Sequence, residues 1–342
     1  MNNKKQNKTT IIAEVGLSHR GSFAKAKKLI KLIALAGADI IKFQTHIAKA
    51  ESTAQEKFRK GHKFKHKTRY QYWKAHEFSN EQWLSLSKYC EKNNIGFMSS
   101  PFSIQSFNVL KKTNQRYWKI GSGEFFSQDL INKVLASKKP IILSTGLSNY
   151  KEIGNMIKKL KKNKNKFTIL QCTTKYPISL KEVGLNVAHK IKKDYNCKVG
   201  LSDHSGKIYP SLYAISNEDF EIIEVHVTTK KKDKSNPDNT SSITLDQLKF
   251  LCDYNRNLEI IRSNPVDKNK ISKNLNKSKN LFTKSIAPCT DLNKGKRVTL
   301  KDICLKKPGT GIDYKYRNKI IGKTLKRDVK SYELLKWSDF EK

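Results

Sequence analysis

Two short stretches carry residues able to do chemistry together. "KVGLSDHSG" (198–206) is an apolar run that ends in Ser202, Asp203, His204 and Ser205. "EIIEVHVT" (221–228) is a second apolar run and carries His226. If the two runs are neighbouring strands, two imidazoles meet. Such a pair suits a divalent metal, with its other positions left to water or substrate. A single strand-end histidine is more often a structural hydrogen-bonder, so the pair carries the reading and neither residue does alone. Lys42 and Lys119 sit inside "IIKFQ" and "YWKIG". An ammonium buried without a partner is costly, so these two lysines imply an anion. Elsewhere in so lysine-rich a chain, a lysine is a solvated surface group. Ser99, Ser100, Ser122, Ser144 and Ser202, with the backbone N–H groups of "GSG" and "STG", suit phosphate or carboxylate oxygens. Glu14, Glu124 and Asp203 are candidate bases or hydroxyl binders. His46, His62, His66, His76 and His189 read as loop or helix-surface residues.

These groups are far apart along the chain, so a repeating architecture must gather them. Strand-like runs occur at 10–16, 39–44, 95–100, 117–124, 140–146, 167–173, 198–204 and 220–228. Each is followed by a helix-like segment, the last at 244–255, with a long polar loop at 45–79. Regular alternation over about 245 residues predicts a parallel sheet with helices outside, and eight units match a closed (β/α)8 TIM barrel. An open doubly wound sheet is the alternative, but "EVGLSHRGS" (14–22) lacks the glycines of a phosphate-binding fingerprint. In a barrel the chemistry sits at the C-terminal strand ends. Those ends hold Glu14, Lys42, Gln44, Ser100, Lys119, Ser122, Glu124, Ser144, Thr174, Tyr176, Ser202, His204, Glu224 and His226. After 255 the pattern breaks. Residues 1–260 form the barrel in this reading, 261–282 a polar linker, and 283–342 a small β-rich module.

The chain has 342 residues and a formal net charge of +39. Its basic residues are scattered, mostly lysine, and not interleaved with stacking aromatics, so specific nucleic-acid binding is not expected. The field still draws in anionic substrates. No apolar run approaches the ~20 residues that span a bilayer, and "MNNKKQNKTT" lacks the apolar core of a secretory signal. A cytoplasmic location, with no membrane association, is the expectation. The six cysteines form no C-x-x-C pair, and reduced, mostly buried thiols are expected.

Eight segments in order, "IIAEVGLSHRGS", "IIKFQTH", "FMSSPFS", "WKIGSGE", "PIILSTG", "QCTTKYP", "VGLSDHSG" and "IIEVHVT", resemble the sialic acid synthase family. "LKKPGTGID…IIGKTLKRDV" is similar to its C-terminal SAF (antifreeze-like, β-clip) domain. The resemblance covers residues 10–342. It implies a transferase that condenses phosphoenolpyruvate with an N-acylated aldose and releases phosphate, using Mn2+ or Mg2+. It also implies a domain-swapped homodimer in which one chain's SAF domain caps its partner's barrel. His204 and His226 match the metal-binding histidines. Lys42, Ser100, Lys119, Ser122, Ser144, Thr174 and Ser202 fall where the family holds phosphoenolpyruvate. Glu14, Gln44, Glu124, Tyr176 and Asp238 fall at positions that contact the sugar or assist proton transfer. Lys307 stands where the family's SAF motif has an arginine that reaches the sugar. Thr174 replaces a common asparagine, and "NPDN" lacks the usual glycine before Pro237. The alternatives are another phosphoenolpyruvate-dependent synthase, which would bind a phosphorylated sugar, and a carbohydrate-binding barrel without activity.

Overall fold

The computed structural model describes residues 8–58, 66–230 and 237–341. The chain begins with β1 (Thr10–Gly16), α1 (Phe23–Ala36) and β2 (Ile40–Thr45), followed by α2 (Ala48–Glu51) and α3 (Arg69–Lys74). Next come α4 (Asn80–Lys92), β3 (Gly96–Pro101), α5 (Ile104–Leu110) and β4 (Trp118–Ile120). They are followed by α6 (Gln128–Ala136), β5 (Ile141–Ser144), α7 (Tyr150–Lys162) and β6 (Phe167–Gln171). Then α8 (Leu185–Tyr195), β7 (Lys198–Asp203), α9 (Tyr209–Ser216) and β8 (Phe220–Thr228) complete the eight units. A short β9 (Ser242–Thr244) pairs with the end of β8, and α10 (Leu245–Ser263) closes the unit.

All the strand pairs are parallel, in the order β3-β2-β1-β8-β7-β6-β5-β4. No ladder pair joins β3 to β4 among the described residues, so the TIM-like barrel is nearly closed. The expected long loop at 45–79 instead contains α2 and α3. Both are too short for apolar periodicity to reveal them.

Helix starts follow from local chemistry. The Ser22 hydroxyl accepts from the Lys25 N–H to begin α1, and Ser79 with Gln82 forms a reciprocal cap on α4. Gly37, at φ 88°, ends α1 in the left-handed conformation a Cβ disfavours.

The strands alternate faces with a period of two. Ile11, Ala13, Ile41, Phe43, Phe97, Leu143, Ile169, Leu201, Ile223 and Val225 pack outward into the main core with the helices. Ile12, Ile40, Met98, Ile142, Leu170 and Ile222 form a separate apolar plug inside the barrel. Two residues further along those six strands lie Glu14, Lys42, Ser100, Ser144, Cys172 and Glu224. The same geometry that buries the plug therefore lays a polar ring on top of it.

The chain divides into two compact units, the second beginning at Asn264. Within the second, α11 (Lys268–Asn274) and α12 (Asn276–Phe282) occupy most of the segment read as a linker. Antiparallel strands β10 (Ser285–Pro288) and β11 (Ile303–Lys306) follow, then one turn of helix, α13 (Arg317–Ile320). Ile286, Leu292, Val298, Ile312, Leu325, Val329 and Leu335 make its small core. No helix among the described residues is long and apolar enough to cross a membrane.

Candidate active site

The polar ring is the floor of a cavity of about 870 Å³ at the C-terminal mouth of the barrel. The strand register sets its order. Glu14 on β1 pairs with Lys42 on β2 and with His226 on β8, Gln44 on β2 with Ser100 on β3, and Ser202 on β7 with Glu224 on β8.

The floor is a buried network of four charges. The Lys42 ammonium contacts the Glu14 carboxylate, lies 3.7 Å from Glu224 Oε1 and reaches Ser100 Oγ at 3.4 Å. Lys119 Nζ lies 3.6 Å from the same Glu224 oxygen and donates to Ser144 Oγ at 2.7 Å. Ser202 Oγ donates to Glu224 Oε1 at 3.1 Å. All four charged side chains are at most 5% exposed.

Their titration follows from position. Burial raises the Glu14 carboxyl to about 7, helped by the Glu224 charge and opposed by Lys42. Burial also works against ionised Glu224, but Lys119 and Lys42 together pull it down to about 2. For Lys42, burial is outweighed by Glu14 and Glu224, which raise it. For Lys119, burial and the neighbouring Lys42 win and lower it. Two carboxyls on one floor are thus pushed apart. One is a permanent counter-charge and the other exchanges a proton near neutrality.

Above the floor, the His204 and His226 rings stand 5.2 Å apart between centroids, and Tyr176 lies 4.2 Å from His204. His204 Nδ1 faces the Thr173 carbonyl at 3.1 Å. A carbonyl only accepts, so Nδ1 carries the hydrogen and Nε2 keeps the position for a ligand. Cys172 Sγ also lies 3.7 Å from this Nδ1. Burial holds His226 down to about 4, against the pull of Asp238, whose Oδ2 is 3.9 Å from Nδ1. A neutral imidazole is the form a metal binds, and His226 supplies it; at His204 burial is outweighed by Cys172 and the Thr173 carbonyl, which raise its pKa. These two rings fit a divalent cation as a two-histidine site, with Asp238 beside it. No group of three or more potential metal-binding side chains occurs among the described residues.

Ser122 Oγ accepts from the Gly146 N–H at 2.9 Å, tying the turn after β4 to the turn after β5. Thr174 Oγ1 borders the cavity, buried and without a hydrogen-bond partner among the described residues. So is Glu224 Oε2. Glu124 lies on the one-turn helix after β4 and accepts from Ser127 Oγ at 2.5 Å, with burial raising its pKa. Gln44, Tyr176 and Asp238 also line the cavity.

The residues proposed from the sequence therefore lie on or beside this cavity except Ser99, Asp203 and Lys307: Ser99 and Asp203 are buried on the other face of their strands, where Ser99 Oγ pairs with Thr45 Oγ1 and Asp203 accepts from Ser205. Lys307 belongs to the second unit, where its ammonium sits 5.7 Å from the centre of the Phe282 ring. Some roles were not assigned from the sequence. Glu224, read there only as a strand-end residue, is the counter-charge for both lysines, and Cys172 lines the cavity wall. Counting two residues on from the apolar plug finds both. His46 and His76, read as surface residues, are buried. Rings on α3 cover both, Trp73 against His46 and Tyr72 against His76, with Phe102, just after β3, on His46 as well, and no local pattern announces it. His62 lies outside the described residues. Among the cysteines, Cys90, Cys172 and Cys252 are buried, Cys197 and Cys304 partly so, and Cys289 is exposed; all are free thiols.

Residues 29–267 match the NeuB family and residues 283–341 the SAF domain. The N,N'-diacetyllegionaminic acid synthase of Campylobacter jejuni is 33% identical over 96% of this chain and 99% of its own length. The pseudaminic acid synthase of the same organism is 28% identical over 98% of this chain and 97% of its own. A crystal structure of the N-acetylneuraminic acid synthetase of Leptospira borgpetersenii superposes with a TM-score of 0.67. It is 27% identical and covers 80% of this chain and 92% of that one.

Proposed function

The chain belongs to the NeuB family and carries a SAF domain, and from that premise we propose that it is a nonulosonic acid synthase. It condenses phosphoenolpyruvate with an N-acylated aldose and releases phosphate. The observation that carries this reading is the floor itself: two buried ammonium groups and three serine hydroxyls beneath two imidazoles. A dianionic ester suits that floor, and an aldehyde suits the space above it.

Lys42 and Lys119 hold the donor and offset its charge in a site that excludes bulk water, where such contacts are strong. Ser100, Ser144 and Ser202 orient its oxygens, and Ser122 with Thr174 completes the wall. Carbon-3 of phosphoenolpyruvate attacks the aldehyde carbon. A divalent cation, Mn2+ or Mg2+, held by His204 and His226 would supply Lewis acidity to the aldehyde oxygen. Water adds to the resulting cationic carbon-2, and Glu14 takes its proton. That role suits a carboxyl titrating at about 7. The tetrahedral intermediate then breaks its carbon–oxygen bond to phosphate, leaving a ketone. Gln44, Glu124, Tyr176 and Asp238 contact the acceptor.

In this reading two chains form a homodimer, and the SAF domain of one caps the barrel of the other through Lys307. A lysine lacks the planar fork of arginine, so its hold on the acceptor is a point charge alone. Removing residues 283–342 is expected to raise the acceptor KM and to leave phosphoenolpyruvate binding unchanged.

The deciding experiment measures phosphate release and product mass with N-acetylmannosamine, a 2,4-diacetamido-2,4,6-trideoxyhexose and a phosphorylated aldose, with and without Mn2+. Turnover with an N-acylated acceptor is expected. Turnover only with the phosphorylated aldose would assign the chain to another class of phosphoenolpyruvate-dependent synthase.

A further inference from the structure

The ring of His46 sits between two aromatic faces, Trp73 at 5.0 Å and Phe102 at 4.1 Å, nearly parallel to both. Its Nδ1 is 2.7 Å from Glu51 Oε1, and its Nε2 is 3.3 Å from Gln44 Oε1. Both ring nitrogens therefore face oxygens. His46 and Glu51 are buried, and all of these residues line the cavity.

The direction of the Gln44 amide is decided from its other end. A Cβ placed on Gly16 would lie 3.0 Å from Glu14 Oε1, 3.5 Å from Gln44 Nε2 and 3.6 Å from Asp238 Oδ2. The Gln44 amino group thus lies on the Gly16 side, which oxygens of two carboxylates also approach. Reversing the amide would turn its carbonyl, one more acceptor, toward that side. With the amino group so directed, Gln44 Oε1 needs a donor, and His46 Nε2 lies 3.3 Å from it. The other ring nitrogen, Nδ1, is tied to Glu51, and both faces of the ring are covered by aromatic side chains, so His46 is held on every side.

We propose that His46, held by Glu51, Trp73 and Phe102, is a positioning residue that fixes the Gln44 carboxamide with its amino group toward the reacting end of the acceptor. This rests on the reading above that Gln44 contacts the acceptor sugar. His46 touches no substrate itself and acts through Gln44. Histidine serves here because it is both a flat ring that fills the aromatic slot and a ring with a nitrogen at each end, one toward Glu51 and one toward Gln44.

The test is a double-mutant cycle on the full chain with phosphoenolpyruvate, Mn2+ and whichever N-acylated aldose turns over. His46→Phe keeps the stack and removes both hydrogen bonds. Loss of one oriented hydrogen bond is expected to raise the acceptor KM about tenfold, with phosphoenolpyruvate KM unchanged. In a Gln44→Ala background the same substitution is expected to have no further effect. His46→Gln, which retains a donor toward Gln44, is expected to recover most of the loss. Circular dichroism checks that each variant is folded; should His46→Phe not fold, Glu51→Gln replaces it in the cycle with the same expectation. If Gln44→Ala raises the acceptor KM while His46→Phe and Glu51→Gln leave it unchanged, the positioning role is overturned. Additive effects in the cycle overturn it equally. If Gln44→Ala itself has no effect on acceptor KM, the reading of Gln44 fails instead, and with it the premise.

Discussion

Glu14 and Glu224 share one ammonium, that of Lys42, yet they lie at opposite ends of the carboxylate range. The difference is a second cation. Glu224 stands between Lys42 and Lys119, whereas Glu14 has Lys42 alone and the Glu224 charge nearby. Pairing with two lysines keeps Glu224 ionised throughout the neutral range. Burial with one lysine leaves Glu14 able to exchange a proton at the pH where an enzyme works.

If Glu14 accepts the proton of the attacking water, its ionised form is the active one. The activity kcat/KM is then expected to rise with pH along an acid limb centred at about 7. Glu14→Gln is expected to lower kcat by roughly 10²- to 10⁴-fold and to abolish that limb. A pH profile of phosphate release in both proteins checks this. An unaltered limb in the variant excludes Glu14 as its source.

The same carboxyl makes stability depend on pH with a definite sign. Its pKa in the folded chain, about 7, lies above its ordinary value of 4.5. The folded state therefore binds this proton more tightly than the unfolded state. Glu14 favours the fold at low pH, and that contribution is lost as pH rises from 4.5 through 7. Urea titrations at several pH values are expected to show this decline in the parent chain and a flatter response in Glu14→Gln.

Lys119→Met removes one of the two charges that hold Glu224 ionised. Breaking a buried ion pair from one side is expected to destabilise by about 3–5 kcal/mol. The phosphoenolpyruvate KM should rise as well, since the variant lacks half the cationic floor. Thermal melts and donor titrations read the two effects separately. An unchanged melting temperature would show that Glu224 does not depend on Lys119.

If His204 and His226 hold a divalent cation, a chelator is expected to stop turnover while leaving circular dichroism unchanged, because the barrel core is apolar and independent of the two imidazoles. Adding Mn2+ back should restore the parent chain and fail to restore His226→Ala. Full activity of His226→Ala after chelation and add-back contradicts the assignment.

Gly146 lies where β5 meets the Ser122 turn. An added Cβ would approach Thr174 Oγ1 to 2.1 Å, Ser122 Oγ to 2.8 Å and Cys172 Sγ to 2.9 Å. Gly146→Ala must displace side chains that wall the cavity, where the proposed function places phosphoenolpyruvate. The expected result is a phosphoenolpyruvate KM raised about tenfold or more, consistent with about 1–3 kcal/mol of overpacking strain. Steady-state kinetics at fixed acceptor checks it.

Much of the fold was legible because strand-then-helix alternation is a one-dimensional signal. Runs such as 10–16 and 220–228 coincide with β1 and β8, since a buried parallel strand is a short apolar run wherever it occurs. The candidate site was legible to the same extent, because barrel chemistry gathers at strand ends and the ends can be read off in order. What escaped was of two kinds. Glu224 was legible as a strand end but not as a counter-charge, and the inward direction of Cys172 emerges only once the strand register is counted from the plug. His46, Glu51, Trp73 and Phe102 come together from a loop, two short helices and a strand end with no shared pattern.

The sequence by itself determined the element order, the barrel architecture, the polar character of the strand ends and the identity of the two histidines and two lysines as partners. These follow from residue type and period, which are properties of the chain alone. Only the tertiary structure decided that Glu224 rather than Glu14 carries the permanent charge, and which nitrogen of His46 meets Gln44. A pKa and a hydrogen-bond direction depend on which charges and oxygens stand within a few ångströms, and neighbours from distant parts of the chain become neighbours only when the sheet curls into a barrel.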